Sequence, residues 1–261
     1  MPEGDTVFRS ARRLHEALAG RELTRCDLRV PRYATVDLSG RTVDEVRSRG
    51  KHLLMRVGDS TIHSHLKMEG VWHVYHRGER WRRPAHTARA VLAVGDIEAV
   101  GFSLGLLEVV ARAREDDAVG PLGPDLLGRD WDPGRAAANL AVDPRRAVGL
   151  ALLDQRVMAG IGNEYRSEIC FLRGVAPQTP VADAGDPAAW VDLAHRLLVA
   201  NRDRLRRTTT GVDRDGARLW VYGRDRRPCR RCGTAIRSAP VGSNDGREAD
   251  RTAWWCSVCQ R

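Results

Sequence analysis

The first four residues, Met1-Pro2-Glu3-Gly4, place a possible nucleophile beside a possible proton donor. An initiator methionine is generally removed when proline follows it, which would leave the secondary amine of Pro2 at the start of the chain. An α-amine has a pKa of about 7.7–8.0, so it is partly unprotonated near neutral pH and can attack a carbon electrophile. A second interpretation stays open here, in which Pro2 only opens a helix.

Four cysteines near the C-terminus have the spacing of metal ligands. Cys229-x2-Cys232 is followed, after 23 residues, by Cys256-x2-Cys259. Each pair can supply half of a tetrahedral Zn²⁺ site, and four sulfur ligands make a closed, structural site rather than a catalytic one. Since thiols stay reduced in the cytoplasm, we expect zinc and not disulfides. Cys26 and Cys170 lack such spacing and are predicted to be core residues.

The charge of the chain favours a polyanionic partner. The formal net charge is +9, and residues 202–261 contain 15 Arg against 7 Asp plus Glu. Basic residues that lie between and around two zinc-binding cysteine pairs indicate nucleic acid binding. The alternative is a basic surface that is only solvated. Only two of the 43 basic residues are lysines, Lys51 and Lys67, where a compact ammonium would suit the role better than a guanidinium.

Residue periodicity predicts an α+β protein in which a helix fronts an antiparallel β-sandwich. Asp5–Ala19 has apolar residues at helical spacing, and Asp5 and Thr6 could cap its start. Short alternating runs separated by turns predict eight strands in the first half of the chain. They are Leu23–Val30, Thr42–Val46, His52–Val57, Ser60–Leu66, Val71–Tyr75, Ala88–Val94, Ile97–Phe102 and Leu106–Val110.

Two turns of this region carry candidate functional residues. Lys51 follows Gly50 between two predicted strands, and Lys67-Met68-Glu69 follows another strand. Met68 could be a wedge that fills space between bases, or it could be tucked into the edge of the sandwich. His63 and His65 share a strand face, but without a third ligand we expect packed or hydrogen-bonded histidines rather than a metal site.

The second half of the chain is predicted to be mainly helical. Gly120–Pro133 is rich in Gly and Pro and is predicted to be a linker, followed by helices at Arg145–Asp154, Glu164–Leu172 and Pro187–Leu205. The glycines before Asn163 expose backbone N–H groups at a helix start, which is a natural phosphate site, although the motif is also a common packing turn.

No apolar run is long enough to span a membrane and no secretory signal is visible, so we expect a cytoplasmic protein.

Together these motifs resemble the formamidopyrimidine-DNA glycosylase and endonuclease VIII family of base-excision repair enzymes. The resemblance rests on motifs that lie in order over essentially the whole chain. These are Met1-Pro2-Glu3-Gly4, the Arg-Gly-Lys-His of 49–52, Leu153-Asp154-Gln155, Gly160 to Arg166, and Val221-Tyr222-Gly223-Arg224 before the cysteines. It implies a catalytic β-sandwich domain (1–119), a linker (120–133), a helix–two-turn–helix domain (134–207) and a zinc-finger β-hairpin (208–261), with damaged double-stranded DNA held between the domains.

The resemblance also implies roles for individual residues. Pro2 would attack the sugar C1′ of a flipped nucleotide, Glu3 would be the general acid, and β- and δ-elimination would follow. Lys51, Asn163 and Arg251 match positions that grip the phosphates beside the lesion. Lys67, Met68 and Glu69 match the turn that enters the gap left by the flipped base. We expect a monomer that associates with the nucleoid through DNA and has no membrane partner.

Two departures from the family bear on the substrate. Asp5-Thr6 stands where relatives usually have Pro-Glu, so we expect a second carboxylate near the nucleophile to be missing, which affects rate and lesion range. The short segment Thr208–Leu219 and the lack of Arg and Phe void-fillers at Gly101–Leu107 favour the endonuclease VIII branch, hence oxidised pyrimidines. Alternatives are oxidised-purine specificity, a non-catalytic zinc-containing DNA-binding protein, and an RNA- or ribosome-associated role.

Overall fold

A computed structural model describes residues 2–242 and 251–261 of the chain. Within it the chain forms two compact units, one ending at Pro121 and the other beginning at Leu122. Each unit has a hydrophobic core of its own. The predicted four-part domain division stays a prediction.

The first unit consists of one long helix, eight strands and one short helix. The helix α1 is Gly4–Leu18, and the short helix α2 is Glu115–Val119. The strands are β1 Arg25–Leu28, β2 Val43–Arg49, β3 His52–Val57, β4 Ser60–His65, β5 Val71–His76, β6 Ala88–Val94, β7 Ile97–Phe102 and β8 Leu106–Ala111. Every predicted strand is present, with ends shifted by a few residues.

The strands form two four-stranded antiparallel sheets, in the orders β1-β6-β7-β5 and β2-β3-β4-β8. Apolar side chains from both sheets share one core, among them Leu53 and Met55 of β3 and Leu92 of β6. The alternation that predicted the strands places these residues on the inner faces, because side chains along a strand point alternately to opposite faces. The predicted helix-fronted β-sandwich is confirmed.

Helix α1 covers this core with one apolar face. Val7, Ala11, Leu14 and Leu18 follow one another at steps of four, three and four residues, and all are buried. Burial of each leucine contributes about 1.5–3 kcal/mol. The helix begins at Gly4 with Glu3 as the N-cap residue, so the predicted cap by Asp5 and Thr6 is wrong. Asp5 lies inside the first turn, where its Oδ1 accepts the N–H of Thr6 at 2.8 Å.

The second unit is built from four helices and a β-hairpin. They are α3 Pro133–Ala141, α4 Val148–Ala151, α5 Asn163–Arg173 and α6 Pro187–Asn201, then β9 Arg237–Val241 and β10 Arg251–Trp255. The sequence missed α3, whose start is fixed when Asp132 Oδ1 accepts the N–H of Arg135 at 2.9 Å. Helix α6 ends at Asn201, four residues before its predicted end.

The helix predicted at Arg145–Asp154 is wrong in length. Only the four residues of α4 are helical; Ala147, directly before them, has a non-helical backbone (φ −58°, ψ 129°) and forms an isolated bridge with Pro180, which sets the start of the helix. The predicted linker at 120–133 contains the boundary between the two units. Most of it belongs to the second unit, where Asp125 bridges Ala159 and the side chain of Leu126 is fully buried.

Candidate functional site

Pro2 and Glu3 lie at the start of α1. Pro2 is half-buried and the Glu3 side chain is fully buried. The carbonyl of Glu3 accepts the N–H groups of Thr6 and Val7, both at 3.0 Å, which fixes its backbone at the helix N-terminus. The positive end of the helix dipole favours a carboxylate there. The arrangement therefore holds the Glu3 carboxyl in the turn that follows Pro2.

A second carboxylate, Asp5, is buried in the same turn of α1. Its Oδ1 accepts both the backbone N–H and, at 3.4 Å, the hydroxyl of Thr6. The sequence suggested that a second carboxylate was missing because Thr6 lacks one. The structure shows that the first turn contains two buried carboxylates, Glu3 and Asp5, and that Thr6 is a hydrogen-bond donor to one of them.

Lys51 lies in the two-residue turn of the β2–β3 hairpin. Arg49 pairs with His52, so Gly50 and Lys51 form the connection. Gly50 has φ of 57°, a left-handed conformation that a glycine adopts without the strain of a Cβ. The lysine side chain is half-buried. The turn type therefore presents Lys51 at the end of the sheet, as the sequence predicted.

The Lys67-Met68-Glu69 turn connects β4 to β5. All three residues are exposed, and the Met68 side chain is 64% exposed. Lys67 has φ of 52°, and Gly70 N–H closes the turn on the Leu66 carbonyl at 2.9 Å. A Cβ at Gly70 would collide with the backbone of Leu66. Met68 therefore lies at an exposed tip and is not tucked into the edge of the sandwich.

Three histidines lie between these two lysine-bearing turns. His52 is paired with His65 across β3 and β4, and His63 is 1% exposed. Burial lowers the pKa of His52 to about 3, and His63, His65, Lys67 and Lys51 act in the same direction. Burial, and then Lys67 and Lys51, lower the pKa of His65 to about 4. Both rings are neutral at pH 7, and the histidines are hydrogen-bonded as expected.

In the second unit, Asn163 begins α5 after a tight turn. Gln155 fixes this turn from both sides: its Oε1 accepts Gly160 N–H at 3.1 Å, and its Nε2 donates to the Ile161 carbonyl at 3.0 Å. Gly162 is the N-cap residue of α5. Gln155 belongs to one of the sequence motifs, but the sequence alone gave it no role. Its two hydrogen-bond partners are known only from the folded turn.

The side chain of Asn163 is tied to strand β10. Its Nδ2 donates to the Thr252 carbonyl at 2.9 Å, and Nη2 of Arg166 donates to the same oxygen at 2.8 Å. Arg166 also donates to Asn163 Oδ1, and it is completely buried. Arg251, directly before Thr252, is exposed. The structure thus brings Asn163 and Arg251, two predicted phosphate contacts, to the same edge of this unit.

Glu168 is a buried carboxylate that sequence reasoning missed. It lies on α5 and accepts the backbone N–H groups of Trp220, Val221 and Tyr222 at 2.7, 2.8 and 2.9 Å. The hydroxyl of Thr209 is a fourth donor. The contact joins residues 52 to 54 positions apart, for which the sequence offers no signal. Glu168 therefore holds the segment that leads into the cysteine region.

The four cysteines meet as the sequence predicted. Their Sγ atoms all lie within 4.8 Å of one another, with 3.9 Å between Cys229 and Cys259 and 3.4 Å between Cys232 and Cys256. A tetrahedral ion with metal–sulfur bonds of about 2.3 Å separates its ligands by about 3.8 Å, so the cluster fits a metal ion. Among the described residues no other group of three or more His, Cys, Asp or Glu side chains fits one.

The two remaining cysteines have no part in this cluster. Cys170 is fully buried, and burial raises the pKa of its thiol to about 12. Burial also raises the pKa of Cys26. Both behave as core residues, as predicted from the absence of a partner pattern. Within the part of the chain that the structure describes, no helix is both long and apolar enough to cross a membrane.

Comparison with known proteins gives concordant matches. Residues 1–103 match the family described as formamidopyrimidine-DNA glycosylase N-terminal domain. The chain is 58% identical to "Probable endonuclease 8 2" of Streptomyces coelicolor, covering 100% of this chain and 94% of that protein. It is 55% identical to "DNA-(apurinic or apyrimidinic site) lyase Nei2" of Mycolicibacterium smegmatis, covering 100% and 99%.

A solved structure shares the fold at low sequence identity. The formamidopyrimidine DNA glycosylase of Lactococcus lactis, non-covalently bound to DNA containing an AP site, superposes with a TM-score of 0.80. It covers 100% of both chains at 21% identity. At this identity the similarity shows the fold.

Proposed function

We propose, from the premise that this chain belongs to the formamidopyrimidine-DNA glycosylase and endonuclease VIII family, that it excises oxidised pyrimidines from DNA through Pro2. The chain is a bifunctional DNA glycosylase and AP lyase of base-excision repair. Relatives at 53–58% identity over the whole chain are named endonuclease 8 or DNA-(apurinic or apyrimidinic site) lyase, and this observation carries the conclusion. Its substrate is double-stranded DNA with a damaged base or an abasic site.

In the proposed reaction, the Pro2 amine forms a bond to C1′ of the damaged nucleotide. The bond between C1′ and the base breaks, and the base leaves with the bonding electrons and takes up a proton. Glu3 donates a proton to the ring oxygen of the sugar as the ring opens, which yields a cationic Schiff base. That cation accepts electrons during β- and δ-elimination, which break the bonds from the sugar to both flanking phosphates and leave a one-nucleotide gap with phosphates on the DNA ends. The burial of Glu3 in the turn beside Pro2 supports this assignment.

Phosphate contacts are assigned to Lys51, Asn163 and Arg251. A charged or amide N–H group can donate to phosphate oxygens and so fix the register of the DNA without reading its sequence. Support comes from the placement of half-buried Lys51 in the β2–β3 hairpin turn and from the proximity of Asn163 and Arg251 through Thr252. Lys51 is also grouped with the catalytic residues, since it would hold the phosphate next to the reacting sugar.

The Lys67-Met68-Glu69 turn is assigned to the gap that a flipped nucleotide leaves in the duplex. An apolar side chain inserted there replaces lost stacking contacts. The exposure of Met68, which would otherwise cost hydrophobic free energy, supports this role.

The metal is assigned as one structural Zn²⁺ held by Cys229, Cys232, Cys256 and Cys259. When bound, the ion cross-links the two ends of the β9–β10 hairpin. Arg237 and Arg251 lie on the two strands of this hairpin. Arg247, the third arginine noted between the cysteine pairs, lies outside the described residues. Monomeric state and a cytoplasmic, nucleoid-associated location stay predictions.

The proposal is tested by trapping the Schiff base with borohydride. The protein without Met1, confirmed by mass spectrometry, is incubated with duplexes that contain an abasic site, thymine glycol or 8-oxoguanine. We expect a covalent adduct with abasic and thymine-glycol DNA that Pro2→Gly abolishes. An adduct only with 8-oxoguanine DNA would assign oxidised purines instead. The absence of any adduct would leave a non-catalytic DNA-binding protein as the better interpretation.

A further inference from the structure

A hydrogen-bonded chain runs across three strands behind the Lys51 turn. His52 Nδ1 lies 2.8 Å from His63 Nε2, and His63 Nδ1 lies 2.7 Å from Glu108 Oε1. The strand register produces this chain, because His63 pairs with Glu108 across β4 and β8. The rings of His52 and His63 are stacked, with centroids 5.0 Å apart. None of these three residues has a role in the reaction described above.

The carboxylate sets the direction of the hydrogen bonds. An ionised carboxylate only accepts, so Nδ1 of His63 must be the donor to Glu108. His63, with a single ring proton placed on Nδ1, then has a lone pair on Nε2, and His52 donates to it from Nδ1. His52 is thereby held as one tautomer, with the lone pair on its own Nε2. Since Lys51 and Lys67 are both cationic, they favour the uncharged form of the His52 ring.

The same cluster connects the two lysine-bearing turns. The rings of His52 and His65 are perpendicular to each other, with centroids 5.2 Å apart and an interplanar angle of 89°. Nδ1 of His65 accepts the backbone N–H of Lys67 at 2.9 Å. Lys67 has a left-handed backbone, which this contact stabilises. A Cβ at Gly105 would collide with the Lys67 side chain, so the β7–β8 connection also fits this conformation.

We propose that His52, His63 and Glu108 are positioning residues for Lys51 and for the Lys67-Met68-Glu69 turn. The ring of neutral His52, fixed from behind by Glu108 through His63, supports the Lys51 turn and, through His65, the Lys67 turn. The inference rests on the proposed roles of Lys51 and of the Lys67-Met68-Glu69 turn. The hydrogen-bond acceptor at position 108 therefore controls how precisely the Lys51 turn and the Lys67-Met68-Glu69 turn are positioned.

The test compares two changes at position 108 with a matched control. Glu108→Leu removes the acceptor, whereas Glu108→Gln keeps an oxygen that can accept from His63. Glu98→Leu is the control, because Glu98 also accepts a ring N–H at 2.7 Å, from Trp81, in the other sheet. The measurements are the single-turnover rate of borohydride trapping on abasic duplex, the Kd for a tetrahydrofuran-containing duplex, and the melting temperature.

We expect Glu108→Leu to slow trapping about tenfold at a temperature where every variant is folded, since small misplacements of a reacting group are costly. Glu108→Gln stays within about threefold of the parent, and Glu98→Leu within about twofold. Nitrogen-15 NMR of the histidine rings should show His52 as the Nδ1–H tautomer in the parent and a mixture of tautomers in Glu108→Leu.

Four results would overturn the proposal. Equal slowing by Glu108→Leu and Glu98→Leu would mean a general effect on folding. Equal slowing by Glu108→Leu and Glu108→Gln would show that the charge, and not the acceptor, matters. Lys51→Ala distinguishes failure of the positioning role from failure of the Lys51 assignment. If Lys51→Ala slows trapping while Glu108→Leu does not, the positioning role fails and the Lys51 assignment stands. If Lys51→Ala has no effect, the Lys51 assignment fails, and the positioning role falls with it.

Discussion

Asn163 Nδ2 donates a hydrogen bond to the backbone carbonyl of Thr252 at 2.9 Å. This contact ties the first residue of α5 to the residue that follows Arg251, across 89 positions of sequence. Buried Arg166 donates to the same oxygen and shares the carbonyl with Asn163. The edge of the second unit that carries these donors is therefore held by contacts that do not involve the Arg251 guanidinium.

Replacement of Arg251 should weaken DNA binding without affecting the fold. Because the side chain is exposed, we expect Arg251→Ala to leave the melting temperature unchanged. The affinity for tetrahydrofuran-containing duplex should fall about tenfold, or ~1.4 kcal/mol. The slope of log K against log salt should become shallower by about 0.9, as for one lost phosphate contact. Arg237→Ala, an exposed arginine on β9, is the matched control. A melting temperature that falls with affinity would make Arg251 a structural residue.

Glu168→Ala should destabilise the protein. It leaves three backbone N–H groups of residues 220–222 without their acceptor in a buried site. Each unsatisfied buried donor costs about 1–3 kcal/mol, so we expect a loss of about 3 kcal/mol or more in the free energy of unfolding. Urea titration at pH 7 measures it. Asp192→Ala, on α6, removes the exposed partner of Arg196 and should cost less than about 1 kcal/mol. Similar losses for both variants would contradict the assignment of Glu168.

The stability of the protein should fall in acid partly through Glu115. Burial acts to raise its pKa, but hydrogen bonds from Arg56, Arg47 and Thr61 outweigh burial and lower it from 4.5 to about 2. A lowered carboxyl pKa contributes stability that is complete above the unfolded value and lost as pH falls through the folded value. The contribution should therefore be present above pH 4.5 and disappear by about pH 2.

Glu115→Gln tests this contribution. At pH 7 we expect the variant to be less stable by about 2 kcal/mol, a difference that shrinks as the pH is lowered toward 2. Denaturant titrations at several pH values measure it. Asp117→Asn is a suitable control, because Asp117 lies on the same short helix and pairs only with exposed Arg114. A difference that is independent of pH would show that Glu115 contributes through packing alone.

Removal of the metal should release the C-terminal hairpin. We expect a chelator to lower DNA affinity strongly, since the cysteine cluster joins the two segments that flank β9 and β10. Zinc added back after chelation should restore binding, and metal analysis should give one ion for each chain. Cys232→Ser should reproduce the loss, whereas Cys26→Ser should not, because Cys26 lies outside the cluster. Unchanged affinity after complete metal removal would separate the hairpin from DNA binding.

The sequence determined much of this protein by itself. Alternating apolar residues predicted all eight strands of the sandwich, because a strand that buries one face must alternate. The cysteine spacing predicted a metal cluster, since two chelating pairs need little more than a turn each. Helix periodicity placed α1 to within one residue at each end. These are local signals, in which the residues that interact lie close together in the chain.

Tertiary structure decided what depends on register and on long-range contacts. The bridge from Ala147 to Pro180 set the start of α4, although the local pattern favoured a helix that begins earlier. Folding buried the Asp5 side chain in the turn that contains Glu3. Strand pairing placed His63 opposite Glu108. Glu168 and Asn163 found their partners more than 40 residues away. The pairing of such groups is fixed by folding, because a buried polar atom must find a partner wherever the chain brings one.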